Sequence, residues 1–190
     1  MHSLPQAPVC ASAMVINIAY PACSSLRILI NCSIFQIQME SKETIAGILR
    51  LIPFQPPFRF IDEITYLDSN RIEGNFFLKE DFDFYKGHFP GFPVTPGVIL
   101  TEIMAQTGMV AFGIYLMMLD GEKEFKNMVT LLTETHIRFR KSVSPPHKVF
   151  IESKKIIFRH GKLQCNISLA NEENNLLCYG NISGMLYIKP

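Results

Sequence analysis

Apolar residues recur at helical spacing at Ile45, Ile48, Leu49 and Ile52, behind Ser41 as a candidate N-cap, and Pro53 closes the run. That pattern predicts a short amphipathic helix. After a proline-rich corner, residues 58–67 (FRFIDEITYL) and 71–78 (RIEGNFFL) are rich in aromatic and β-branched side chains. Asp68-Ser69-Asn70 between them is turn chemistry, so the pair reads as a hairpin. From Gly97 the run GVILTEIMAQTGMVAFGIYLMML holds no proline and is apolar around most of its circumference, the mark of a helix buried on nearly every side. Residues 128–139, 148–159, 162–170 and 176–188 then read as four strands, with His160-Gly161 and the stretch 171–175 as tight connections. Helix, two strands, one long buried helix and four strands predict an α+β domain, an antiparallel sheet wrapped around a long central helix.

The central run is also long enough to cross a bilayer. Against that reading, Glu102 and Gln106 share one helix face, no basic flank precedes the run and strand-like sequence follows, so no membrane insertion is expected. Residues 1–38 differ from the rest: they hold three of the five cysteines, one basic residue (Arg27) and no acidic one. Prolines break their apolar stretches and no basic start precedes them, which disfavours a secretion signal. Residues 1–38 are therefore expected to form an N-terminal extension outside the fold, with Met39 as an alternative start, and residues 39–190 to form one domain.

Composition narrows the field further. A 190-residue chain that is 48% hydrophobic can bury a substantial core. Its net charge of +1, from 18 basic and 17 acidic residues, gives no general attraction to nucleic acid. Cys10, Cys23, Cys32, Cys165 and Cys178 are odd in number, scattered and without histidines at metal-ligand spacing. Reduced thiols in a cytoplasmic protein and no metal site are expected.

The chemistry concentrates in KGHFPGFPVTPGVILTEIMAQTG, residues 86–108. Glu102 falls among Val98, Ile99, Ile103 and Met104 at a position where helical spacing predicts core. A carboxyl group deprived of water favours its protonated form, which suits a proton donor; the plain alternative is an ion pair or an outward-facing edge. Pro96-Gly97 is a helix start, where free backbone N–H groups and the positive end of the helix dipole can hold a developing oxyanion. His88 lies in a proline-constrained loop and can accept a proton near neutral pH, although a lone loop histidine is commonly structural or exposed.

GHFPGFPVTPGVILTEIMAQ resembles the signature of the FabZ-type 3-hydroxyacyl-[acyl-carrier-protein] dehydratases of the hotdog-fold FabA/FabZ family: His-Phe-Pro-Gly-x-Pro, then Pro-Gly-Val, then Glu-x-Met-Ala-Gln. The resemblance extends over about residues 45–188. It implies that His88 removes the C2 proton, that Glu102 protonates the leaving C3 hydroxyl, and that the Gly97 N–H steadies the thioester oxygen. It implies a homodimer or dimer-based oligomer in which His and Glu meet across the interface beside an acyl tunnel. Phe89, Phe92, Pro96, Val98, Met109 and Phe112 are the candidate tunnel residues, and Gln106 a candidate support for the acid. Arg138, Arg140 and Lys141 match the basic strand end that docks the acyl carrier protein; by spacing alone Arg138 and Arg140 share one strand face and fit a solvated surface equally. No cofactor is implied, because the phosphopantetheine arm arrives with the carrier.

The match departs at three places. Pro53-Phe54-Gln55-Pro56-Pro57-Phe58 stands where relatives have a His-Arg-Tyr-Pro-Phe type segment, Phe92 where an Arg is common, and Pro145-Pro146 where Pro-Gly is usual. These leave room for a specialised acyl pathway beside fatty-acid synthesis. The isomerising FabA type carries Asp as its acid with a Trp nearby; this chain has Glu102 and no Trp, which favours dehydration alone. A hotdog thioesterase and a non-catalytic partner subunit are the competing readings.

Overall fold

The structure is a computed structural model and describes residues 40–189; the expectations for residues 1–38 lie outside the described residues. Helix α1 (Lys42–Leu51) begins where Ser41 Oγ accepts a 3.2 Å hydrogen bond from Thr44 N, satisfying one donor that the first turn leaves free. It buries Ile48, and Ile52 follows into the core. Strands β1 (Glu63–Leu67) and β2 (Arg71–Leu78) form the expected hairpin. In its turn Asp68 Oδ1 accepts from both Asn70 N and Arg71 N. Strand β1 starts five residues later than the pattern suggested, because Phe60 N donates to the Gln106 side chain and not to a neighbouring strand.

After a short 3₁₀ turn at Asp83–Lys86 comes the long helix, Gly97–Leu119. It is long and apolar enough to cross a membrane, yet 72% of its apolar window is buried inside the fold, as the core reading requires. It has three parts: α2 (Gly97–Ala105), a wide π turn (Gln106–Ala111) and α3 (Phe112–Leu119). In the wide turn Phe112 N reaches Thr107 O, five residues back. The Gly108 carbonyl turns to the sheet, where Ser153 Oγ (3.1 Å) and Cys165 Sγ (3.2 Å) donate to it. A Cβ on Gly108 would overlap Ile167 Cδ1 and lie 2.8 Å from Ser153 Cβ, so only glycine lets the helix seat this closely.

Strands β3 (Met128–Phe139), β4 (His147–Arg159), β5 (Lys162–Ala170) and β6 (Leu176–Ile188) complete a six-stranded sheet of order β1-β2-β4-β5-β6-β3, antiparallel at every pairing. The helix lies on one face. Ile103, Phe112 and Ile114 are sealed with Ile151, Leu163, Leu169 and Ile182. Each such aliphatic or aromatic side chain contributes about 1.5–3 kcal/mol. This is the hotdog architecture, and it presents the N-terminus of α2 at the end of the sheet where β3 finishes.

Candidate active site

His88 is half-buried and its Nδ1 lies 2.8 Å from the carbonyl oxygen of Val94. A carbonyl only accepts, so Nδ1 carries the proton and Nε2 is left with a free lone pair. The loop is held around it by its own backbone: His88 N donates to Phe84 O and Val94 N donates to His88 O, with Gly91 at φ +75° supplying the reversal. Thr95 N bonds Val143 O at 2.7 Å, and the Thr95 hydroxyl pairs with Tyr85 in the interior, tying the loop to the body of the fold.

A cleft of about 420 Å³ brings His88 together with Val94, Thr95, Gly97, Leu100, Phe139, Arg140, Lys141 and Ser142. Ile99 N and Leu100 N both donate to Pro96 O, so the N–H groups of Gly97 and Val98 have no backbone acceptor among the described residues. They open the helix and carry its positive end, an arrangement suited to an oxygen gaining negative charge. Gly97 is tight: a Cβ there would stand 3.0 Å from Phe139 Cζ. Phe139 was not singled out in the sequence, although it sits between the two arginines that were.

Glu102 is half-buried, not sealed in the core as its neighbours suggested, because its face of the helix turns out from the sheet. Gln106, fully buried, donates to Glu102 Oε1 at 2.8 Å and to Phe58 O at 2.9 Å, while its own Oε1 accepts from Phe60 N at 2.7 Å. Both amide hydrogens and the carbonyl are thus engaged, which fixes the carboxamide's orientation and aims the carboxylate. Glu102 does not line the His88 cleft. Five residues beyond Gly97, it points about 140° around the helix from it.

The remaining candidates separate. Phe89, Phe92 and Val98 are exposed around the loop and helix start, with Pro96 half-buried between them. Met109, within the wide turn, and Phe112, just after it, lie in the sealed core, and neither lines the His88 cleft. Arg140 and Lys141 stand at the cleft, but Arg138 lines a different groove on the outer face of the sheet, with His136, Lys154 and Tyr179. Strand β3 ends at Phe139, but Arg140 N still donates to Leu177 O, one step on in the β3–β6 register, and the ladder gives out at Lys141, whose N–H turns to the same carbonyl.

Residues 52–173 match the FabA-like domain. The chain is 30% identical over 140 residues to the 3-hydroxyacyl-[acyl-carrier-protein] dehydratase FabZ of Caldicellulosiruptor saccharolyticus, covering 73% of this chain and 94% of that protein. To the protein of the same name in Bacillus velezensis it is 31% identical over 137 residues, covering 72% and 92%. Among solved structures it is similar in fold to a chain of the dehydratase heterocomplex ApeI:P from Xenorhabdus doucetiae, with a TM-score of 0.61 at 13% identity over 75% of this chain and 91% of that one. The family match spans the His88-to-Gln106 segment and most of the sheet: the chain belongs to the FabA-like family, among the FabZ-type 3-hydroxyacyl-[acyl-carrier-protein] dehydratases.

Proposed function

We propose that the chain removes water from a 3-hydroxyacyl thioester borne by an acyl carrier protein, leaving the trans-2-enoyl thioester, and that it works in the cytoplasm as a homodimer. The observation that carries this reading is His88 Nε2, held free and beside the unpaired N–H groups of a helix start, in a member of this family. His88 takes the C2 proton. The electrons form the C2–C3 double bond as the C3–O bond breaks, and Glu102 supplies the proton with which the hydroxyl leaves as water. Charge that gathers on the thioester oxygen is met by the Gly97 N–H. Proton transfers of this kind contribute about 10²–10⁴ in rate, and one oxyanion donor about 3–4 kcal/mol. The step requires no metal or organic cofactor.

Two features support the shared site. Within one chain Glu102 is turned away from the His88 cleft. Among the described residues strand β3 pairs with β6 alone, which leaves its other edge without a partner over 12 residues, with Leu131, Leu132 and Phe139 exposed along the strand. A second copy adding its own β3 would close that edge and bring the two helices side by side. Arg140 and Lys141 are exposed at the cleft and have no ion pair among the described residues, which favours an acidic carrier protein arriving there.

The test is incubation of the purified protein with 3-hydroxyacyl carrier protein, followed by mass spectrometry of the carrier. Loss of one water without isomerisation is expected. Release of free acid with no enoyl product would make the chain a thioesterase, and no change in the carrier would make it a non-catalytic subunit.

A further inference from the structure

The hairpin joining β4 to β5 has a composition unlike the rest of the chain. From Lys154 to Asn171 there is no acidic residue, while Lys154, Lys155, Arg159 and Lys162 supply four cations in a protein whose net charge is only +1. Lys154 pairs with Glu152 at 2.9 Å, but Lys155, Arg159 and Lys162 have no ion pair among the described residues.

The backbone adds an apolar element to this tip. In a regular strand two consecutive side chains point to opposite faces, so one of them is covered. Here the β4–β5 register shifts between Lys155 and Ile157. The extra residue of this bulge leaves Ile156 and Ile157 both exposed, at 48% and 50%. Arg159 pairs with Lys162, and Lys162 with Met185, so these three stand in one cross-strand row. Ile157 lies two residues from Arg159, on the same face. The result is an exposed pair of aliphatic side chains with cations beside them, at the opposite end of the sheet from the His88 cleft: β3 ends at the cleft, whereas β4, antiparallel to it in direction, ends at this tip.

We infer that the β4–β5 hairpin tip docks the enzyme on an anionic lipid surface, Ile156 and Ile157 entering the headgroup layer while Lys155, Arg159 and Lys162 meet the phosphates. Two exposed isoleucines beside cations suit a lipid surface, whose headgroup layer takes up apolar side chains while its phosphates meet the charges. The charge favours anionic lipid, since each cation near such a surface strengthens binding by about fivefold and the attraction is local to the tip. The chain would lie on the membrane, not in it, leaving the cleft at the far end open to solution.

The test is co-sedimentation of the intact protein with vesicles of equal parts phosphatidylglycerol and phosphatidylcholine, against vesicles of phosphatidylcholine alone. Binding to the anionic vesicles only, weakened by added salt, is expected. The triple variant Lys155→Glu, Arg159→Glu, Lys162→Glu should abolish it, and Ile156→Ser with Ile157→Ser should weaken it at least tenfold. Both variants should keep wild-type turnover on a soluble carrier substrate, which also verifies that they fold. Absence of binding to anionic vesicles, or binding that the triple variant retains, overturns the proposal. A change of oligomeric mass in the variants without any vesicle binding also overturns it, in favour of contact between copies of the chain.

Discussion

Gln106 donates a 2.8 Å hydrogen bond to the Glu102 carboxylate from one turn further along the same helix, and the rest of its carboxamide is clamped by Phe58 O and Phe60 N. The proton donor proposed for the reaction is therefore aimed by the segment that precedes β1, through a side chain with no accessible surface. Gln106→Leu removes the brace and leaves the buried Phe60 N–H without a partner, at a cost of about 1–3 kcal/mol, and frees the part-buried Phe58 carbonyl. Because the carboxylate remains but is no longer aimed, kcat should fall by up to about 10²-fold with KM little changed. Steady-state kinetics beside thermal melting checks both parts; a KM effect alone would make Gln106 a binding residue.

If each site draws His88 and Glu102 from different protomers, two dead variants can repair one another. His88→Ala and Glu102→Gln should each lose about 10²–10⁴ in kcat alone. Mixed under conditions that exchange subunits, half the dimers are hybrid and each hybrid holds one intact site, so activity should return to about a quarter of wild type. Mixtures that stay inactive, with exchange verified by mass spectrometry, would place both groups in one chain.

The close seat of Gly108 gives a stability prediction. Gly108→Ala drives a methyl into Ile167 and Ser153 and disturbs the donors to its carbonyl. Overpacking of this kind costs about 1–3 kcal/mol. Gly47→Ala, where a Cβ meets nothing within 4 Å in helix α1, should instead stabilise slightly. Denaturant melts of the two variants provide the comparison.

Burial pushes the Cys165 thiol up to about 11 and the Cys178 thiol up to about 12, from 9.0. Neither should react with iodoacetamide at neutral pH in the folded protein, and both should react once it is denatured. The linkage has one sign. The folded state keeps protons that the unfolded chain sheds above pH 9, so the contribution to stability is complete below pH 9 and is lost as pH rises to about 11 and 12. Melting temperature followed from pH 8 upward should decline through that window, and less steeply for Cys178→Ala than for the parent.

Much of the fold is legible along the chain because alternation and helical period are local signals. Strands β2, β3, β5 and β6 begin and end where the pattern put them, and the central helix spans its full apolar run. What the pattern missed depends on partners far away in sequence. Residues 58–62 look like strand but give Phe58 O and Phe60 N to Gln106, 46 positions from Phe60. The wide turn looks like any apolar helix, and the Ser153 and Cys165 hydroxyl and thiol that hold its carbonyl come from two other strands. Arg138 and Arg140 lie two residues apart, yet they line different grooves, which residue spacing does not reveal. The His88-to-Gln106 segment was readable because its loop, helix start and carboxylate are contiguous; the tautomer set by Val94 O and the crowding of Gly97 by Phe139 were not.

The six-residue wide turn also sets the phase between the two halves of the helix. An ordinary winding from Gly97 onward would carry every later side chain about 100° further round for each residue that the broader loop absorbs. By absorbing that residue, the turn keeps Phe112, Ile114 and Leu116 on the sheet while leaving Glu102 where it is. Like the offset between two gears on a single shaft, this loop lets one rod serve two surfaces at once, the interior at its far end and the reacting group at its near end.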